Sequence, residues 1–401
     1  MKRQLVSTLS AQPYPFERFE EYADNGEALE VRLGGLGTAK PRQGRTVWQR
    51  FADFLPFDEY DPDCSLGEGD TPLLDSPLLA AQTGIHSLLV KNETVNPTWS
   101  FKDRGSLPCI QMAREMGEPV VATISTGNMG ASIAAYGARA GLRSLVFIPS
   151  FCPLEKVRPM TIHAATVIQV DAPDYADMKR AVLALAGKLR LRIVSGNGPV
   201  RVDGYKTAAF EMYEQLGGDV PDFVAVPTSA CGHIRGIFKG YNELHEAGLI
   251  TKLPRMIIVQ AANNSPLVTA FRQGKRAPVP FTDFHTVAEA ITTGNPAGGD
   301  EILDKAYRYG WLAEDVSEDE ILQSQRTLAE AGFFVEPASA TSLAAVAKLR
   351  AGGAIGARES VVMILTGSGL KDADVFQHHR VPVVRATVET VEKETAAVLD
   401  R

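Results

Sequence analysis

From Ser65 onward, short unbroken apolar runs alternate with longer stretches of helical periodicity, and no other feature of the chain restricts its fold so strongly. The runs are Ser87–Val90, Val120–Ile124, Ser144–Ile148, Thr166–Val170, Phe223–Val226, Met256–Val259 and Val361–Leu365. The helical patterns between them cover Asn128–Ala140, Tyr175–Leu189, Lys206–Leu216, His233–Glu246, Glu318–Ala331 and Ala340–Leu349. Strands that alternate with helices make an α/β fold. Strands without an in–out polarity pattern belong to largely parallel sheets covered on both faces.

A chain of 401 residues exceeds one simple core and fits two domains. An internal echo supports two similar halves. Val120–Gly141 reads strand, small-residue loop (Ser125-Thr126-Gly127-Asn128-Met129-Gly130), helix, and Val224–Glu243 repeats the order around Pro227–His233. A cleft between two such halves is a natural ligand site. The first 60 or so residues, with scattered aromatics such as Tyr14, Phe16, Trp48, Phe51 and Phe54, read as an extended arm. Pro382–Arg401 reads as a tail ending in an amphipathic helix from Glu389, a docking or oligomer element.

Hydrophobic content of 45% and charged content of 22% are those of a folded globular chain. The net charge of −7 speaks against a nucleic-acid binder but leaves room for a small anion in a locally positive pocket. Cys64, Cys109, Cys152 and Cys231 are widely spaced, without a CxxC pair or clustered histidines, so neither a metal site nor a disulfide framework is expected. Met1–Ser10 lacks a secretory apolar core, and no run approaches the roughly 18 apolar residues of a membrane span. The expected setting is the cytoplasm, with no membrane partner.

Four segments can carry chemistry. Asn96-Pro97-Thr98-Trp99-Ser100-Phe101-Lys102-Asp103-Arg104-Gly105 reads as a turn opening a helix. Lys102 is then either a partly desolvated, nucleophilic amine or one member of a surface charge cluster. Ser125–Gly130 is either an anion cradle at a helix N-terminus or a simple cap. Thr228–His233 repeats that logic with one glycine, its backbone N–H groups and the Thr228 and Ser229 hydroxyls being the donors. There, Cys231 is either a reactive thiol or a small packing residue. Leu365-Thr366-Gly367-Ser368-Gly369-Leu370-Lys371-Asp372 follows an apolar strand and is either a ligand loop or a Gly-rich connection.

In this order, over Ser65–Asp372, the segments resemble the fold type II (tryptophan synthase β-like) family of pyridoxal phosphate (PLP) enzymes, and its threonine synthase-like members most. Further matches are Ser65-Leu66-Gly67-Glu68-Gly69-Asp70-Thr71-Pro72-Leu73, Arg201–Phe210, Thr293-Gly294-Asn295-Pro296 and Glu336-Pro337-Ala338-Ser339-Ala340. The resemblance implies PLP as cofactor, with Lys102 as the catalytic Schiff-base residue. Phe101, Asn128, Thr228, Ser229, Ala230, Cys231, Gly232, His233 and Thr366 would bind the cofactor, Asn128 at its 3′-oxygen and Thr366 at its pyridine nitrogen. Ser125, Thr126, Gly127 and Asn128 would hold the substrate, the first three at its carboxylate; Arg201 and Lys206 would take its phosphate. It also implies a homodimer, and a division into an arm (1–62), a large PLP domain (63–110 with 206–380), a small mobile domain (111–205) and a tail (381–401). The implied reaction is that of a lyase converting O-phospho-L-homoserine and water to L-threonine and phosphate.

The sequence departs from the family at the phosphate sites. Ser229-Ala230-Cys231-Gly232-His233 stands where Gly-Asn-Ala-Gly-Asn is common, and Ser195-Gly196 replaces an Asn-Ser pair upstream of Arg201. Trp99 stands where a small residue is common, and Met129 where Thr is frequent. Arg201, Lys206 and His233 are the candidate replacements for the lost donors. Two other activities stay open: β-replacement on O-phosphoserine, as in cysteate synthase, and serine or threonine deamination.

Overall fold

The computed structural model describes residues 3–16, 21–172, 175–189, 191–282, 285–372, 377–379 and 383–399. Their strands are β1 (Arg3–Ser7), β2 (Pro13–Tyr14), β3 (Leu29–Leu33), β4 (Leu73–Asp75), β5 (Ser87–Asn92), β6 (Val120–Ile124), β7 (Arg143–Pro149), β8 (Thr166–Val170), β9 (Ile193–Val194), β10 (Phe223–Pro227), β11 (Arg255–Ala261), β12 (Leu312–Val316) and β13 (Ser360–Leu365). The α-helices are α1 (Val47–Arg50), α2 (Pro77–Thr83), α3 (Lys102–Glu115), α4 (Asn128–Arg139), α5 (Leu154–Thr161), α6 (Tyr175–Leu189), α7 (Pro199–Tyr205), α8 (Thr207–Gln215), α9 (Gly232–Glu246), α10 (Pro266–Arg272), α11 (Gly299–Tyr309), α12 (Glu318–Glu330), α13 (Pro337–Ala351) and α14 (Val391–Leu399). Every apolar run and helical pattern read from the sequence falls on one of these elements.

Two open sheets carry the architecture. The larger has the order β12-β11-β10-β13-β5-β4 and is parallel except for its β4–β5 edge. The smaller, β8-β7-β6-β9, is parallel throughout. Strand periodicity explains the unbroken apolar runs. Val224, Val226, Ile258, Val362 and Ile364 point into one core with Ile110 of α3, Phe210 of α8 and Ile234 of α9. Their neighbours Phe223, Ala225, Ile257, Val361 and Met363 point into a second core under α2, α12 and α13. The small sheet is likewise covered twice, by Ala134 of α4 with Met160 of α5, and by Met178 and Val182 of α6.

The N-terminal segment is packed rather than free. β1, β2 and β3 form an antiparallel sheet, and Leu29, Val31, Trp48, Phe51 and Phe54 join the main core. The Phe51 ring stacks on Phe210, with centroids 4.6 Å apart. The aromatics scattered through this segment lack helical or strand spacing because they pack as single anchors. At the other end, α14 buries no side chain, and the expected tail boundary at 380/381 lies outside the described residues.

Phe51→Ala removes a core ring and costs about 3–5 kcal/mol. Chemical denaturation measures it; a loss under about 1 kcal/mol would mean the segment does not belong to the core.

Candidate active site

Four parallel strands of the two sheets end at one cleft. β5 leads through Glu93–Asn96 to Lys102, β6 into Ser125–Asn128, β10 into Thr228–His233 and β13 into Thr366–Gly369. Carboxyl ends of parallel strands are where α/β sheets bind ligands.

The lysine turn is tied to the last of these loops. Phe101 N–H donates to the Thr366 carbonyl at 2.9 Å, and Ser368 N–H to the Trp99 carbonyl at 3.0 Å. Lys371 Nζ donates to the Thr98 carbonyl at 2.6 Å, and the Thr98 N–H and hydroxyl donate to Asp103 at 2.6 and 2.5 Å. Trp99 sits in left-handed backbone at φ 64°, its ring half exposed at the turn's outer side. Lys102 opens α3 with its Nζ 4.1 Å from the Phe101 ring centroid. No carboxylate pairs with it among the described residues. Burial, followed by the Arg201 charge, pulls the amine down to about 7, against the opposing pull of Glu336. A substantial neutral fraction at neutral pH makes it a usable nucleophile and base.

Two backbone cradles flank this amine. At the start of α4, the Thr126 and Asn128 N–H groups have no acceptor among the described residues, and Ser125, Thr126 and Asn128 are only half-buried. At the start of α9, the same holds for the N–H groups of Ala230, Cys231, Gly232 and His233. Each cradle adds the positive end of a helix. Cys231 occupies left-handed backbone at φ 72°, a conformation that costs a non-glycine residue roughly 1–3 kcal/mol and clusters at functional sites. Burial raises its thiol well above the ordinary range, which favours the packing reading of Cys231 over the reactive one.

Three of the residues expected at the ligands already have partners. The Thr228 hydroxyl donates to the Val226 carbonyl at 2.7 Å and its N–H to the Val259 carbonyl at 2.8 Å, so in this structure both are engaged with the sheet. His233 stacks on Phe101 at 3.7 Å, and burial holds its imidazole well below the usual range, so it is neutral and replaces no cation. Lys206 Nζ lies 2.7 Å from Asp203 and 3.0 Å from Glu243, fully buried, and its charge is spent on them. Ser229 stays at the cradle with its Oγ 2.8 Å from Thr293 Oγ1.

Arg201 behaves differently. Its Nη1 donates to the Lys102 carbonyl and to Tyr205 Oη, both at 3.3 Å. Nε and Nη2 are buried with no partner among the described residues. A cation left with free donors in a dry site is an anion receptor. Gly105 makes its position possible, because a Cβ there would lie 2.5 Å from Arg201 Cγ and 2.8 Å from the Tyr205 ring.

Glu336 is a residue to which the sequence reading gave no role. Its carboxylate accepts from Asn128 Nδ2 at 2.8 Å and from Thr366 Oγ1 at 2.9 Å, joining two of the expected cofactor ligands across the cleft. Ser339 Oγ holds Thr366 from behind at 2.7 Å. The signal available was the Glu-Pro start of α13 itself. For PLP the fit is good: an amine without a counter-ion, an N–H cradle for a phosphate, and Asn128 and Thr366 as donors to polar ring atoms.

Two outcomes test these assignments. Reductive trapping of PLP on Lys102 of the apoprotein should fall as pH drops through about 7, where the amine protonates, and level off above it. A yield that climbs until about 10 would mean an unperturbed lysine. Lys206→Met should cost about 3–5 kcal/mol by denaturant unfolding, because it strands buried carboxylates, whereas Arg201→Met should cost little. Equal losses would put both cations in the same role.

Comparison with known proteins agrees with the geometry. Residues 64–367 match the family model "Pyridoxal-phosphate dependent enzyme". Threonine synthase of Methanocaldococcus jannaschii is 40% identical over 94% of this chain and 89% of its own. That of Methanosarcina acetivorans is 39% identical over 86% and 84%. Among solved structures, threonine deaminase isoform 2 of Solanum lycopersicum superposes with a TM-score of 0.67 at 19% identity, over 88% of this chain and 99% of that one, a likeness of fold. With the lysine, the two cradles and this kinship together, the chain belongs to the pyridoxal phosphate-dependent enzymes of fold type II, among the threonine synthases.

Proposed function

We propose that this protein is a threonine synthase, a lyase that converts O-phospho-L-homoserine and water to L-threonine and phosphate. The observation that carries the reading is the Arg201 guanidinium, buried beside the Lys102 backbone with two donor atoms free.

PLP, when bound, draws electrons away from the α carbon of an attached amino acid. The residues of the chain supply the rest. Lys102, held neutral by burial, takes the α proton and returns it at the end. The Thr126 and Asn128 N–H groups and the neighbouring hydroxyls fix the substrate carboxylate, which orients the Cα–H bond toward Lys102. Arg201 takes the γ-phosphate in a site without bulk water, where its charge acts at full strength on the leaving oxygens. A proton leaves the β carbon as the γ C–O bond breaks and phosphate departs with the bonding electrons; the γ carbon then takes up a proton and water adds at the β carbon.

The division into a large domain (63–110 with 206–380) and a small one (111–205) that closes over the substrate belongs to this reading, as does a homodimer. The cross-cleft Asn128–Glu336 contact supports closure, since it joins the small sheet's first helix to the large sheet's α13. The four cysteines are unpaired and buried, which suits a cytoplasmic enzyme. No helix among the described residues is long and apolar enough to cross a membrane.

Phosphate release separates this reading from its rivals. The protein should release phosphate from O-phosphohomoserine with L-threonine as product, and act poorly on O-phosphoserine, serine and threonine. Arg201→Ala should lower kcat/KM for O-phosphohomoserine by about 10²-fold or more, with Arg201→Lys restoring only part of it. Unchanged turnover in Arg201→Ala would overturn the assignment.

A further inference from the structure

The packed N-terminal segment brings one charged group to the cleft. Tyr22 bridges Ala28, and Ala23 N–H donates to the Glu27 carbonyl at 2.9 Å, forming a small hairpin. Glu21, just before it, reaches the loop that precedes α7. Both Glu21 carboxylate oxygens accept the Ser195 backbone N–H, at 3.0 and 2.9 Å. The same carboxylate lies against Gly198, where a Cβ would meet Glu21 Cδ at 2.8 Å. Arg201 is three residues further along the chain, with Nε and Nη2 buried and unpartnered. The Glu21 and Arg201 charges act on one another, but no ion pair closes between them.

A carboxylate that accepts a backbone N–H beside an unsatisfied arginine stands where an incoming oxyanion would be received. We propose that Glu21 is a built-in occupant of the distal anion site, a carboxylate that must yield Ser195 N–H and the field of Arg201 before a phosphoryl group can enter. It therefore sets how tightly the substrate's phosphate end binds. Two features fit this role. The Ser195-Gly196 stretch offers no side-chain amide to compete for the anion, so the Ser195 hydroxyl and backbone N–H are the donors at stake. Burial also raises the Glu21 carboxyl above its usual range despite the Ser195 and Arg201 contributions, so the carboxylate is held there at a cost and can be displaced. The proposal rests on Arg201 being the phosphate-binding residue of the reading above.

The test titrates the PLP-loaded enzyme with inorganic phosphate by calorimetry, since the cofactor's own phosphate cradle is then filled. Glu21→Gln keeps the shape and removes the charge. Glu21→Ala removes the carboxylate altogether and leaves its place open. Both variants should bind phosphate about fivefold more tightly than the parent, since a self-occupied site binds with an affinity reduced by the fraction that is open. The KM for O-phosphohomoserine should fall in parallel. Phosphate affinity equal in the parent and both variants, with the parent turning over O-phosphohomoserine, overturns this proposal alone. Absence of phosphate binding in all three, together with no release from O-phosphohomoserine, overturns the functional reading and this proposal with it.

Discussion

The buried guanidinium of Arg104 fixes where the reactive amine can be. Arg104 donates to Glu93 at 2.6 and 2.8 Å and to Glu211 at 2.6 and 2.7 Å, and reaches the Thr71 and Thr207 hydroxyls at 3.0 Å. Lys91 completes the cluster at 2.7 Å from Glu211. Two cations and two carboxylates cancel, and nearly every hydrogen-bonding direction of the guanidinium is used. Such a cluster gives little net stability over an apolar core, but losing one member is expensive. Its effect is geometric: β5, the link after it, the first turn of α3 and α8 are locked together, and Lys102 is two residues from the lock.

Against that background the cations without carboxylates stand out. Lys206 and Lys239 share Asp203 and Glu243 just as Arg104 and Lys91 share Glu93 and Glu211. Lys102 and Arg201 have no such partner among the described residues, and the Arg201 charge helps to pull the Lys102 amine down. Leaving the Arg201 guanidinium unbalanced in a dry cleft, beside an amine that burial holds neutral, costs stability, and such a cost is typical of sites where a ligand later supplies the missing charge. Two anionic ligand ends, a cofactor phosphate on the α9 cradle and a substrate phosphate at Arg201, fit this imbalance with chemistry to spare.

The sheets were legible because parallel strands covered on both faces announce themselves as continuous apolar runs, as at Val120–Ile124 and Val361–Leu365. The lysine turn and the loop at Ser125 were legible because proline, glycine and hydroxyl residues punctuate the ends of those runs. What the sequence hid was which polar groups meet. Lys206 and Arg201 looked alike in one short segment, yet one helical turn sends the first to Asp203 and Glu243 and leaves the second free. His233 read as a polar donor, but a ring 3.7 Å away on Phe101 makes it a stacking surface. Trp48, Phe51 and Phe54 belong to the core only through partners such as Phe210, more than 150 residues away in sequence, which no local pattern reports.

Glu336 shows how the two halves of the molecule can remain aligned without being fused. Its carboxylate takes one hydrogen from Asn128 on the small sheet's side and one from Thr366 on the large sheet's side. Burial raises its carboxyl, and the two donors draw it back down. Each bond is charge-assisted and short, yet each donor is a neutral group that can turn to a heteroaromatic oxygen or nitrogen at small cost. Glu336 keeps the two donors pointed at a common centre, so a ring entering the cleft meets groups already oriented rather than groups it must order. An apolar residue at 336 would leave Asn128 and Thr366 free to rotate away, and the cleft would have to assemble its polar contacts at the expense of binding energy.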